Sequence, residues 1–117
     1  MIYLMNITIY DVFELNRVLH LLLSQQNSYK IQTAFKIHSL IKWLDETEKF
    51  VFERLNMIFG TDSIDIENPT HKMLLLSQLP FIGTTLTTNE LLDTDGEVKL
   101  DVNDAGILEK MLSKTED

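Results

Sequence analysis

The sequence predicts an α+β chain built on a lopsided antiparallel helical hairpin, with helices over about 12–24 and 28–59, a small sheet and a short C-terminal helix. Three observations carry this prediction. Residues 28–59, SYKIQTAFKIHSLIKWLDETEKFVFERLNMIF, contain no Pro or Gly, and Gly60 follows as a left-handed stop signal. Within them Ala34, Ile37, Ile41, Leu44, Val51, Leu55 and Ile58 recur at three- and four-residue steps, broken where Glu48 falls on the seam. Trp43, Phe50 and Met57 form a second stripe at seven-residue spacing, well round the cylinder from the first, so two faces of one helix need cover.

Taken from the N-terminus, Ile2 to Ile9 has the alternation of a strand, with Tyr3, Met5, Ile7 and Ile9 on one face. Asp11 with Glu14 three residues on is an acidic capping box, opening a helix that carries Val12, Leu15, Leu19 and Leu22 to about Ser24. SQQNS supplies a short connection, with Asn27 or Ser28 as the next N-cap, which makes the two helices antiparallel neighbours. At 1.5 Å per residue they span about 20 Å and about 48 Å. The shorter helix therefore reaches only to about Leu44, and the strand Ile2–Ile9 is expected beside residues 45–59 as the remaining cover.

After Gly60, TDSIDIENPT is polar and turn-rich and is expected to be a linker. His71 to Leu79 fits a short helix capped by Thr70 or a buried strand, with Pro80 ending it. Residues 84–88 lean towards strand, and Asn89 to Leu92 fit a single helical turn. DTDG makes a turn, and EVKLDV alternates with Val98, Leu100 and Val102 on one face. This C-terminal strand, Glu97–Val102, is the expected partner of the N-terminal one, because a lone strand leaves its ladder unpaired. Asn103 or Asp104 caps the last helix, which carries Ile107, Leu108, Met111 and Leu112.

The 117 residues, 44% of them hydrophobic, suit one domain over 1–117, with the strand and hairpin in 1–60 and an acidic half in 61–117. Without cysteine there is no disulfide framework or thiolate metal site. No stretch approaches the roughly 18 apolar residues of a membrane span, and MIYLMNITIYD lacks the basic region of a signal peptide. The expected location is the cytoplasm or an assembled particle, with no membrane contact.

The net charge of −8 is unevenly placed. Asp11, Glu14, Asp45, Glu46, Glu48 and Glu53 are balanced by Arg17, Lys30, Lys36, Lys42, Lys49 and Arg54, so the whole deficit lies beyond Gly60. Direct nucleic-acid binding needs clustered Lys and Arg and is not expected. The acidic residues Asp93, Asp95, Glu97 and Asp101 are instead candidates for meeting a basic partner surface.

Catalytic and cofactor chemistry is missing from the sequence. With Gly96 in the sixth position of an EF-hand loop, Leu91 and Val102 would fall where the first and twelfth ligands belong, so DTDG is a turn and not a calcium loop. His20, His38 and His71 have no ligand spacing, although His20 and His38 could approach each other across the hairpin near Glu14 or Asp45. The four glycines are too scattered to cradle a phosphate. The expectation is a non-enzymatic chain with no cofactor or metal, whose partner is another protein or further copies of itself. Its candidate contact residues are Trp43, Phe50 and Met57 together with the four acids.

NITIYDVFELNRVLHLLL, SYKIQTAFKI and FVFERLNMIFG, the last with its Glu53-Arg54 pair and glycine stop, together resemble a family of small phage-encoded helical-hairpin proteins over residues 5–60. The resemblance implies a small structural, assembly or accessory phage component and carries no functional residues. The alternative is an acidic soluble inhibitor that occupies the basic surface of a host protein, for example a nucleic-acid-binding or defence protein. Salt separates the two, since acidic mimicry weakens steeply with ionic strength and an aromatic contact does not.

Overall fold

The computed structural model describes residues 5–60, 64–81 and 86–112. Strand β1 (Met5–Thr8) runs directly into α1 (Ile9–Ser24), which turns back into α2 (Ile31–Phe59). Helix α3 (Pro69–Leu75), strand β2 (Gln78–Phe81), and helices α4 (Thr88–Leu92) and α5 (Val102–Met111) follow. The α+β class, with its lopsided hairpin, small sheet and C-terminal helix, is the one the sequence predicts, although the sheet is built from a different second strand.

The boundaries moved for identifiable reasons. The capping box opening α1 lies three residues upstream of the expected one. Thr8, extended at φ −83° and ψ 158°, accepts from the Asp11 N–H at 3.1 Å, and the Asp11 carboxylate accepts from the Thr8 N–H. Helix α1 reaches further along α2 than Leu44: Phe13, within the expected helix, stacks on Phe52 with ring centroids 5.6 Å apart. Helix α2 starts at Ile31, not Ser28, because residues 25–30 are engaged elsewhere, as described below. It ends where Gly60 adopts φ 69°.

The strand pairing is the main correction. The partner of β1 is Gln78–Phe81, in the register Met5↔Phe81 to Thr8↔Gln78, and not Glu97–Val102. Pro80 does not end a segment but sits inside β2, which a strand with a free edge tolerates. Nor does the strand cover residues 45–59. The Trp43 and Phe81 rings meet at 5.2 Å, which sets the sheet against the middle of α2. Val51 is covered by Ile9 and by Leu75 of α3, and Phe59 by the His71 ring at 4.8 Å. Asn68, not Thr70, caps α3, with Pro69 in its first turn.

Residues 97–101 form no strand. The side-chain amides of the hairpin loop stand in for a neighbouring strand there. Gln25 donates to the Lys99 carbonyl at 2.7 Å and accepts from the Lys99 N–H at 3.0 Å, while Asn27 donates to the Glu97 carbonyl. With their backbone satisfied, Val98 and Leu100 still pack on the core as the alternation expects, whereas Val102 is 87% exposed in the first turn of α5. Asp101, not Asn103 or Asp104, caps that helix by accepting from the Asp104 N–H at 2.7 Å. Of the expected strand at 84–88, residues 84 and 85 lie outside the described residues, Leu86 is core, and Thr87 caps α4.

The core draws on both halves of the chain, from Ile7, Leu15, Leu19 and Leu44 to Phe81, Leu91, Leu108 and Leu112. Ion pairs tie the later helices to the hairpin, among them Lys110 of α5 with Asp11 of α1 at 3.2 Å. Arg17 of α1 meets Asp104 of α5 at 2.7 Å, and Lys36 of α2 meets Glu90 of α4 at 3.0 Å. Glu90 also closes the Thr87 capping box. The Lys36 ammonium first, and then the Thr87 N–H and hydroxyl, hold the Glu90 carboxyl below the usual carboxylate range. A lowered carboxyl contributes stability above the unfolded value, near 4.3, and loses it as pH falls through the folded value. Glu90→Gln is therefore expected to cost about 1 kcal/mol at neutral pH and to flatten the acid limb of the stability profile below about pH 4.3, read by chemical unfolding at several pH values.

Candidate interaction surface

The aromatic stripe on α2 is divided by the chain's own packing. Trp43 is half-buried against Phe81 and belongs to the core periphery. One and two heptads on, β2 no longer covers this face: Phe50 is 51% exposed and Met57 77% exposed. The Arg54 guanidinium lies over the Phe50 ring, 5.2 Å from its centroid, leaving an aromatic that faces water with a cation on one face. Phe50 and Met57 are thus the part of the stripe available to another molecule.

The four candidate acids cluster at the opposite, loop end of the hairpin, and three of them are engaged within the chain. Asp95 accepts from the Ser28 N–H at 2.7 Å, Asp93 pairs with Lys30 at 2.7 Å, and Asp101 caps α5. Hydrogen bonding to Asp93 raises the Lys30 pKa. A backbone bridge between Tyr29 and Thr94 completes this clasp of the 93–99 segment on the hairpin loop. Glu97 offers its carbonyl to Asn27 and leaves its carboxylate facing solvent. Asp93 and Asp95, by holding Lys30 and the Ser28 N–H, account for why α2 starts late.

Sequence reasoning missed a groove at the open end of the hairpin. It has a volume of about 500 Å³ and is lined by Tyr10, Phe13 and Glu14 of α1, Phe52 of α2, Ile64, Ile66 and Leu75. Phe13 and Phe52 lie at the edges of their helical stripes, and Ile64 and Ile66 are scattered in a polar stretch, so no single period marks them. The usable signal was the two isoleucines in TDSIDIENPT, a stretch otherwise typical of linkers.

Continuing from that groove along the same edge of the α1–α2 seam, Phe13 is followed after three residues by Asn16, and Phe52 is preceded four residues back by Glu48. Asn16 is 5% exposed and donates from Nδ2 to Asp45 Oδ1 at 2.8 Å. No described residue donates to its Oδ1. Burial pushes the Glu48 carboxyl up, a hydrogen bond from Asn16 opposes this, and the Asp45 charge adds to it. His20 Nε2 lies 3.5 Å from Asp45 Oδ1, so the histidine expected to face His38 has a carboxylate as its neighbour. His71 is buried, accepting the Asp65 N–H on Nδ1 at 2.9 Å, which closes the loop before α3.

Among the described residues, no group of three or more His, Asp or Glu side chains is placed to hold a metal ion, and no helix is long and apolar enough to cross a membrane. Compared with models of protein families, with curated proteins and with solved structures, the chain finds no match, and the surfaces above are what a functional reading has to work with.

Proposed function

We propose that this chain is a non-enzymatic protein-interaction protein, a small structural, assembly or accessory component of phage type, working inside the host cell or on the virion. The observation that carries this is the uncovered outer face of the second half of α2. A 29-residue helix with a well-filled core face still presents Phe50 and Met57 to water on its other side. Apolar side chains in a shared patch cost solubility unless a partner takes them. The internal use of Asp93, Asp95 and Asp101 favours this contact over acidic mimicry of nucleic acid.

The test is a photo-crosslinking residue placed at Met57 and, as a control, at exposed Gln32, in the cell that naturally makes the protein. A discrete adduct is expected from Met57, absent from Gln32, and abolished by Phe50→Asp. Formation of the adduct should persist at high salt, because an aromatic contact is little screened. Equal crosslinking from both positions, or none from Met57, would refute the reading.

A further inference from the structure

The outer face of α2, opposite its buried stripe, carries two rows of side chains side by side. At 100° per residue, exposed Lys42, Glu46, Lys49 and Glu53 fall within about 60° of one another, and Phe50 and Met57 form a second row about 60° further round. The charges alternate in sign along their row, and none of the four forms an ion pair among the described residues. Phe35, 68% exposed, continues the same face two turns before Lys42. When two identical helices pair about a two-fold axis perpendicular to both, each row stays on its own side of the contact and meets its own reversed copy. A row reading plus, minus, plus, minus then finds an opposite charge at every step. Parallel pairing in register would set each charge against its own kind. The whole-chain charge of −8 opposes contact between copies elsewhere, whereas these two lysines and two glutamates cancel.

Resting on the interaction-protein reading above, we propose that the partner of the Phe50/Met57 face is a second copy of this chain, its α2 laid antiparallel across this one in a two-fold symmetric dimer. In the charge-matched register Lys42 lies opposite Glu53 and Glu46 opposite Lys49, each contact occurring twice. The same register brings Phe50 level with the half-buried Trp43 of the second copy, and Met57 level with Ser39, whose small side chain leaves room for it beside Phe35. The overlap covers residues 36–59 of each copy, about 36 Å of helix. Apolar burial supplies the attraction, and the charges fix the direction: exposed ion pairs add little affinity one by one, but a row of like charges suppresses the wrong pairing. Gln32 lies beyond the end of the second copy's α2 in this arrangement and so remains a control position.

The experiment is sedimentation velocity of the purified full-length chain over a concentration series, beside two charge-reversed variants, Glu46→Lys/Glu53→Lys and Lys42→Glu/Lys49→Glu. The parent chain is expected to pass from monomer to dimer as concentration rises. Each variant alone carries a row of one sign and should self-associate at least about tenfold more weakly, while an equal mixture of the two should regain the parent's association. All four side chains are exposed and hold nothing within the chain, so folding is not at risk; an unchanged circular dichroism spectrum verifies this. In the cell, the Met57 adduct should be two copies of the chain joined at residues 35–42. A chain that stays monomeric, variants that associate as the parent does, a mixture that fails to regain association, or a self-adduct mapped outside residues 35–42 would each overturn the dimer. A monomeric chain whose Met57 crosslinks to a different protein would sink the dimer and leave the docking face standing. A monomeric chain with no Met57 adduct would remove both readings.

Discussion

Leu44→Ala is expected to destabilise the chain by about 3 kcal/mol, within the range of about 2–5 kcal/mol measured for buried Leu truncations. Leu44 is fully buried at the point where α2 meets α1 and the sheet, in one cluster with Ile7, Leu15, Leu40 and Phe81. Side chains from two helices and a strand cannot all relax into the space a missing isobutyl group leaves, so most of the cavity cost remains. A domain of this size has about 5–15 kcal/mol in hand, and each kcal/mol lost moves the midpoint by roughly 4 °C. Thermal unfolding should therefore show a fall of more than about 10 °C, together with a lower denaturant midpoint at unchanged slope. A loss under about 1 kcal/mol would mean that the three elements do not converge on this residue.

Arg17→Ala is the second large effect, through a different mechanism. Asp104 is buried in the first turn of α5, and the Arg17 guanidinium reaches it at 2.7 Å while also holding Glu14 at 2.9 Å. Those two bonds hold the Arg17 guanidinium above its already high pKa, so it stays charged. Removing the arginine leaves a buried carboxylate with no counter-charge, which costs about 1–3 kcal/mol. The lower half of that range applies, because Arg17 is half-exposed and water screens the pair. Converting both residues to apolar ones, Arg17→Met with Asp104→Leu, should recover most of the loss, since the penalty arises from the orphaned charge. Urea unfolding of the two single variants and the double measures this; a double variant as unstable as the sum of the singles would show the residues to act independently.

The hairpin could be read from residue order because both its signals are local. An uninterrupted 3.6-residue period and a glycine stop need no knowledge of the rest of the chain. The sheet could not, because Glu97–Val102 and Gln78–Phe81 compete for β1 on terms set by distant side chains. Gln25 and Asn27 satisfy the backbone of residues 97–99, which removes the need for a partner strand. Leu79 and Phe81 give β2 an apolar face across from Ile7, and Pro80 hid it by arguing for a break. The start of α1 was placed too late for a local reason: Thr8, read as part of the strand Ile2–Ile9, is the N-cap.

The surface followed the same pattern. Helical geometry alone identified Phe50 and Met57 as off the core face, and it could not say that Phe81 would take Trp43. Charge asymmetry singled out Asp93, Asp95 and Asp101, but counting charges cannot distinguish an acid offered to a partner from one that caps a helix or holds a loop. The seam groove was invisible because its walls come from two helices and a polar loop, each unremarked by itself.

The most direct measurement is thermal unfolding of the double variant Phe50→Ala/Met57→Ala. If the Phe50/Met57 face of α2 is bare, these side chains contribute little to folding beyond the contact with Arg54, worth about 0.5–1 kcal/mol. The midpoint should then stay within about 4 °C of the parent. A fall approaching that of Leu44→Ala would mean that the chain already covers the stripe with its own residues, and no docking face would exist.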